Sequence, residues 1–222
     1  MASSSTSNAM LARTMRSVGP AFFLSQVDWS MSITAIQSTQ SILAKGKTAV
    51  AIRNAALITS LGTVVQVAAV PVIGDLLDKH GRKPIICSGP LLAAVCKSLL
   101  VAVPTWATLA LNDVANIVCF RLIKLGAETS FTDCTSNSAD LAAALNTFNT
   151  FIGLGLVVGS PLGGQLHARF GNATTLLASA ACNFAGFILV VLLYQETAHP
   201  VQSSAAGKTG KSRQSNPFSF VR

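Results

Sequence analysis

Six stretches of about 20 mostly apolar residues follow one another along this 222-residue chain, each parted from the next by a short polar, charged or turn-forming break. A helix rises about 1.5 Å per residue, so roughly 20 apolar residues cross the ~30 Å hydrocarbon core of a bilayer. Backbone groups at that depth must be satisfied within the protein, which helices do on their own. The stretches predict helices over 19–43, 54–77, 84–104, 106–128, 141–167 and 172–194. The breaks are Lys45-Gly46-Lys47, the charged run from Asp78 to Lys83, Pro104, the polar run from Thr132 to Asp140, and Phe170-Gly171-Asn172. The expected fold is therefore an all-α integral membrane bundle of six transmembrane helices.

Composition removes the soluble alternatives. Half the residues are hydrophobic and only 11% are charged, against roughly 25% charged in soluble domains. The net charge of +8 could suit nucleic acid, but the basic residues are scattered between apolar stretches with no aromatic-interleaved patch, so no nucleic-acid partner is expected. Cys87, Cys96, Cys119, Cys134 and Cys182 fall in or beside apolar stretches without a CxxC pair and read as small packing residues. His80, His167 and His199 sit at or beyond predicted helix ends, far apart, and no nucleophile, metal-binding or nucleotide-binding motif occurs. Neither an enzyme nor a bound metal or cofactor is expected.

Residues 1–18 read as a polar tail, 19–197 as the transmembrane domain and 198–222 as a basic flexible tail or linker. The Ser-rich, acid-free opening has two readings, a disordered cytosolic tail or an organelle transit sequence. With the N-terminus inside, one side holds Arg13, Arg16, Lys79, Arg82, Lys83, Lys208, Lys211, Arg213 and Arg222, and the other only Lys45, Lys47, Arg53 and Arg169. That asymmetry places both termini in the cytoplasm.

Between the second and third helices runs Gly74-Asp75-Leu76-Leu77-Asp78-Lys79-His80-Gly81-Arg82-Lys83-Pro84. Gly81 permits a tight reversal, and Arg82 and Lys83 sit where positive charge is favoured. A positive-inside hairpin turn accounts for the basic residues but not for an acid fixed before Gly-Arg. The pattern of Gly74, Leu76, Asp78, Gly81, Arg82 and Lys83 is similar, position by position, to the signature loop of the major facilitator superfamily. The resemblance implies that Gly74 lets its helix approach a neighbour closely. It also implies that Asp78 holds a helix end of the other half of the transporter and so stabilises one state of alternating access.

In the fifth helix Gly155, Gly159 and Gly163 recur every four residues beside Pro161 and Gly164. The glycines let a neighbouring helix approach, and the proline weakens the backbone ladder. The run resembles one that antiporters of the family carry, with the proline displaced by one residue. It reads either as a packing seam or as a conformational hinge. Arg121-Leu122-Ile123-Lys124-Leu125-Gly126 and Tyr194-Gln195-Glu196-Thr197 match family segments more loosely. The resemblance covers nearly all of 19–197 and implies one half, the N-terminal six helices, of the major facilitator fold.

Charges inside apolar helices are costly, and each is a functional candidate. Asp28, in the Ser-, Thr- and Gln-rich first helix, is either a proton or cation site or a carboxylate satisfied by Arg121 or Lys97. Gln37 and Gln40 are expected to line the same cavity, and Arg121 either snorkels or faces it. Asp113 and Lys124 are expected near helix ends, at the interface. The expected function is alternating-access transport of a small solute, with proton coupling in view. The partners expected are the bilayer, the solute and a second six-helix half. The other reading is a half-length, non-transporting scaffold. A lone copy of 1–222 is expected not to transport.

Overall fold

A computed structural model describes residues 2–135 and 137–195. Among the described residues it contains five helical elements and no strand: α1 (Ala2–Leu43), α2 (Thr48–His80), α3 (Arg82–Ala102), α4 (Trp106–Cys134) and α5 (Ser138–Leu193). The expected readings of Glu196 and Thr197, of His199 and of the basic segment 198–222 lie outside the described residues.

Local chemistry sets each boundary. α1 stops where Lys45 takes φ 53° and Gly46 φ 74°. The Gly46 amide donates to Ser41 O at 3.1 Å and the Lys45 amide to Ile42 O at 2.9 Å, a Schellman end that satisfies the last carbonyls. α4 opens on a capping box, in which Thr105 Oγ1 accepts from the Thr108 amide at 3.2 Å and Thr108 Oγ1 accepts from the Thr105 amide at 3.0 Å. Between α2 and α3 only Gly81 is non-helical, at φ 86°, ψ 172°, a region open to glycine and closed to residues with a Cβ.

The six helices expected from the sequence thus become five elements, the difference lying in 141–167 and 172–194. The structure runs these together as α5, interrupted at Gly171, whose φ 80°, ψ −174° repeats the Gly81 conformation. The chain reverses there. Before Gly171, Gly155 meets Phe23 and Val27 while Gly163 meets Met31, so this limb runs parallel to α1. After it, Asn172 reaches Ser38, Asn183 reaches Asp28 and Gly186 faces Ala21, so the second limb runs back along α1. The two reversals share a sequence pattern too. Gly74-x-Leu76-x-x-Lys79-x-Gly81 and Gly164-x-Leu166-x-x-Arg169-x-Gly171 lie ninety positions apart.

α2, α3, α4 and α5 are each long and apolar enough to cross a membrane, and at 56 residues α5 exceeds one crossing. α1 is not among these spans, because its polar residues interrupt the apolar run. They are turned inward instead: Gln26, Asp28, Ser30, Ser32 and Thr39 are all buried. α1 also begins before the expected residue 19, and Leu11, Thr14, Ser17 and Val18 of the expected tail are buried. Thr14 Oγ1 lies 3.6 Å from Cys134 Sγ at the end of α4.

The main core sits at the end of the bundle that holds Gly81 and Cys134. Phe22 stacks on Phe148 with centroids 4.6 Å apart, and Phe131 meets Phe148 edge-on at 5.5 Å. The buried Tyr194 hydroxyl lies 2.6 Å from Ser130 Oγ. A smaller cluster of Ala35, Leu100, Leu109 and Leu176 packs the other end. α2 lies at the edge, mainly against α4, with Val64 and Val67 67% and 70% exposed. An outward apolar face on a spanning helix is what lipid or a further helix covers.

Candidate functional site

Asp28 is the centre of a buried polar cluster that ties three elements together. Its carboxylate pairs with Lys97 of α3, and both side chains are shut off from solvent. Oδ1 also accepts from Ser179 Oγ, and Oδ2 accepts from Asn183 Nδ2 at 2.7 Å. Ser179 Oγ reaches the Asp28 carbonyl as well, at 3.2 Å. Ser179 and Asn183 stand one helical turn apart on the second limb of α5, so a single face supplies both donors. Of the two partners weighed for Asp28, Lys97 is the one in contact. A buried charge costs several kcal/mol unless paired and hydrogen-bonded, and here both conditions are met.

Beside this cluster lies a cavity of about 370 Å³. Gln26, Asp28 and Trp29 of α1, Gln66 of α2, Asn116 and Phe120 of α4 and Leu156 of α5 contribute to its wall. Phe120 also lies 5.6 Å from the Phe22 ring, so the aromatic core forms one boundary of the cavity. Arg121 enters through Gln66: with the amide oxygen turned toward it, Gln66 accepts from Arg121 Nε and from a terminal guanidinium nitrogen. The wall thus combines amides, one of them held by Arg121 from behind, an ion-paired carboxylate and two aromatic faces. It can hold a solute by stacking and by neutral hydrogen bonds.

Gln37 and Gln40 do not reach this wall; Gln37 is exposed and Gln40 half-buried. Nine residues separate Asp28 from Gln37, or two and a half turns, which puts Gln37 on about the opposite face of α1. Gln66, Asn116, Trp29, Ser179 and Asn183 are site residues that the sequence reading passed over. The spacing of Ser179 and Asn183 within an otherwise apolar stretch was the available signal.

In the loop, Arg82 is the junction. Its NH1 donates to Asp78 Oδ1 at 3.1 Å and its Nε to Asp133 Oδ2 at 3.2 Å. Asp78 keeps a side chain 75% exposed, and Lys79 pairs with Asp75 at 2.7 Å. The close approach expected at Gly74 is not made within the chain, for a Cβ there would meet nothing within 4 Å. Leu76 is half-buried and Lys83 lies in the first turn of α3.

The glycine run of α5 divides in two. At Gly155 a Cβ would lie 2.8 Å from Phe23 O, and at Gly159 2.5 Å from Val27 O. Gly163 likewise abuts the Met31 backbone. These three form the contact face on α1. Gly164 faces open space and Pro161 is exposed, so neither belongs to that face. Among the described residues no three His, Cys, Asp or Glu side chains are grouped to hold a metal.

The sequence model described as Major Facilitator Superfamily matches residues 18–222. The chain is 28% identical over 163 residues to the tetracycline resistance protein, class G, of Vibrio anguillarum, an alignment covering 73% of the chain and 39% of that protein. It is 31% identical over 147 residues to the class H protein of Pasteurella multocida, covering 64% of the chain and 34% of that protein. Against the class C protein of Escherichia coli it is 29% identical over 147 residues. The chain thus spans between a third and two fifths of the length of these relatives.

Proposed function

The chain belongs to the major facilitator superfamily, and from that premise we propose that it forms the N-terminal six-helix half of a secondary carrier that moves a small solute by alternating access. It is an integral, multi-pass membrane protein. The two limbs of α5 serve as its fifth and sixth helices, and the ninety-residue repeat of the two reversals fits the nested three-helix repeats of this fold. The observation that carries the reading is the cavity beside Asp28, a largely apolar and aromatic space into which the amides of Gln26, Gln66 and Asn116 and the Asp28 carboxylate are set.

The opposite wall of the pathway comes from a second half, whose place the relatives' greater length supports. Gly74 and Asp78 stand open at the edge where such a half would seat, and Asp78 holds one of its helix ends. Trp29 and Phe120 stack an aromatic or extended apolar part of the solute, while Gln66 and Asn116 bind its polar groups. The relatives' names make tetracycline the first solute to test. Both termini are cytoplasmic. A cysteine placed at Gly46 therefore reacts with an impermeant reagent added outside, whereas one at His80 does not.

The test is uptake into vesicles bearing the complete carrier, with a proton gradient imposed. Gln66→Leu and Asn116→Leu should raise the solute concentration needed for half-maximal uptake about tenfold, as losing a hydrogen bond of ~1.4 kcal/mol implies. Unchanged uptake in both variants would remove the cavity from the pathway.

A further inference from the structure

We infer that Asp113 is the proton-carrying residue of this chain: inside the membrane it holds a proton, and it exchanges that proton with water in the adjoining cavity. Its use in coupling rests on the carrier reading above, whereas its protonation rests only on the chain spanning a membrane.

The argument begins with what each carboxylate touches. Asp28 accepts from Lys97, Ser179 and Asn183; Asp75 from Lys79; Asp78 and Asp133 from Arg82; Asp140 from Asn137 Nδ2 at 2.9 Å; and Glu128 lies 3.8 Å from Lys124 Nζ. Glu196 is outside the described residues. Among the described residues Asp113 alone has no donor and no ion pair, although it is partly buried within the spanning helix α4.

Asp113 stands seven residues inside α4 from Trp106, about 10 Å along the axis, and an aspartate side chain is too short to carry its charge back to that end of the helix as a lysine does. It faces α2 at Gly62, where its Oδ2 lies 3.9 Å from the place a Cβ would occupy. No cation of the packed elements is free to answer it. On α2 the nearest is Arg53, nine residues or about 13 Å along the axis from Gly62, and no charged residue intervenes between Arg53 and Asp75. On α4, Arg121 lies two turns away and is engaged by Gln66. α3 offers Lys97 and α1 offers Asp28, which hold each other. The Cys96 and Cys119 thiols carry no positive charge in either form. An isolated carboxylate in such surroundings lowers its free energy by taking a proton.

Exchange has a route. One turn along α4 from Asp113 is Asn116, one turn along α2 from Gly62 is Gln66, and both line the cavity. A proton passes from hydronium in the cavity to a carboxylate oxygen, leaving water and a neutral acid. Release reverses the step and needs no other reactant.

Infrared spectroscopy of the chain in lipid nanodiscs tests this without any transported solute. At neutral pH the wild type should show the carbonyl stretch of a protonated carboxyl group. Asp113→Asn should lose that band and Asp28→Asn keep it. The amide bands of the same sample report helical insertion. Should Asp113→Asn fail to insert, Asp113→Glu decides: a displaced band supports the assignment and an unmoved one overturns it. A wild type without the band, or a band surviving in Asp113→Asn, overturns it as well. A chain with the band that moves no solute keeps this site and removes the carrier reading. Proton-driven transport without the band does the reverse.

Discussion

Arg82 and Asp133, fifty-one residues apart, meet through Nε and Oδ2 at 3.2 Å and tie the start of α3 to the end of α4. The same guanidinium holds Asp78 at 3.1 Å through a different nitrogen. Only a planar fork reaches both carboxylates at once; a lysine offers a point charge. Arg82→Lys should therefore keep one contact and lose the other. The expected cost is about 1 kcal/mol, held low because both acids are partly exposed, and thermal unfolding in detergent measures it. A loss several times larger would mean that Arg82 organises more of the loop than these two contacts.

Asp78→Asn should separate stability from function. The side chain is 75% exposed and its partner within the chain is Arg82, so expression and thermal stability should stay near wild type. Transport by the complete carrier should fall roughly tenfold, the size of a ~1.4 kcal/mol change in the balance of two access states. Vesicle uptake at wild-type rates would reduce the loop to a topology signal.

The buried pair of Asp28 and Lys97 predicts non-additive variants. Asp28→Asn or Lys97→Met alone leaves an unanswered charge in the core and should cost ~3–5 kcal/mol. The double variant should recover most of that loss, because no charge remains to be satisfied. Unfolding of the four proteins in one detergent gives the coupling energy, and simple addition of the two single losses would contradict the pairing.

Two adjacent stretches of one helix should answer the same change differently. Gly159→Ala drives a methyl group to within 2.5 Å of Val27 O, and neither backbone can yield without parting α1 from α5. A loss of ~1–3 kcal/mol follows. Gly164→Ala enters open space and should leave the stability of this chain unchanged. Equal losses in the two variants would show that helix propensity, and not the contact with α1, governs both.

The spanning helices were legible because the bilayer imposes one length on them all, and the breaks at Lys45-Gly46-Lys47 and Gly81 carry turn chemistry in their own residues. The boundary at Phe170-Gly171-Asn172 was read as a gap between two helices. The structure makes it a single glycine, since one residue in that conformation suffices to reverse the chain. Asp28 could be singled out from its cost in an apolar helix, and Lys97 weighed beside it. The one-turn spacing of Ser179 and Asn183 could mark them as a polar pair but not as partners of Asp28, because they lie more than a hundred and fifty residues along the chain and only the fold-back of α5 delivers them. Gln37 was misplaced by proximity in sequence, where helical phase decides which way a side chain faces. Asp113 was expected near a helix end, and it stands seven residues into α4 from Trp106, where the expected helix also begins. Its lack of a donor becomes visible only when every neighbour has a position.

The single-residue link at Gly81 bears on how the chain is assembled during synthesis. α2 and α3 leave the ribosome as a helical hairpin, yet α2 finds its main packing surface on α4, where Ile73 and Leu77 meet Leu122 and Gly62 meets Ile117. Until α4 has been made and inserted, the Gly62 face of α2 has only lipid or insertion machinery to lean on. Nascent chains halted before Trp106 should therefore remain in contact with that machinery, and chains that include Cys134 should be released from it. Biogenesis then contains a waiting step, whose length is the time taken to translate one further helix.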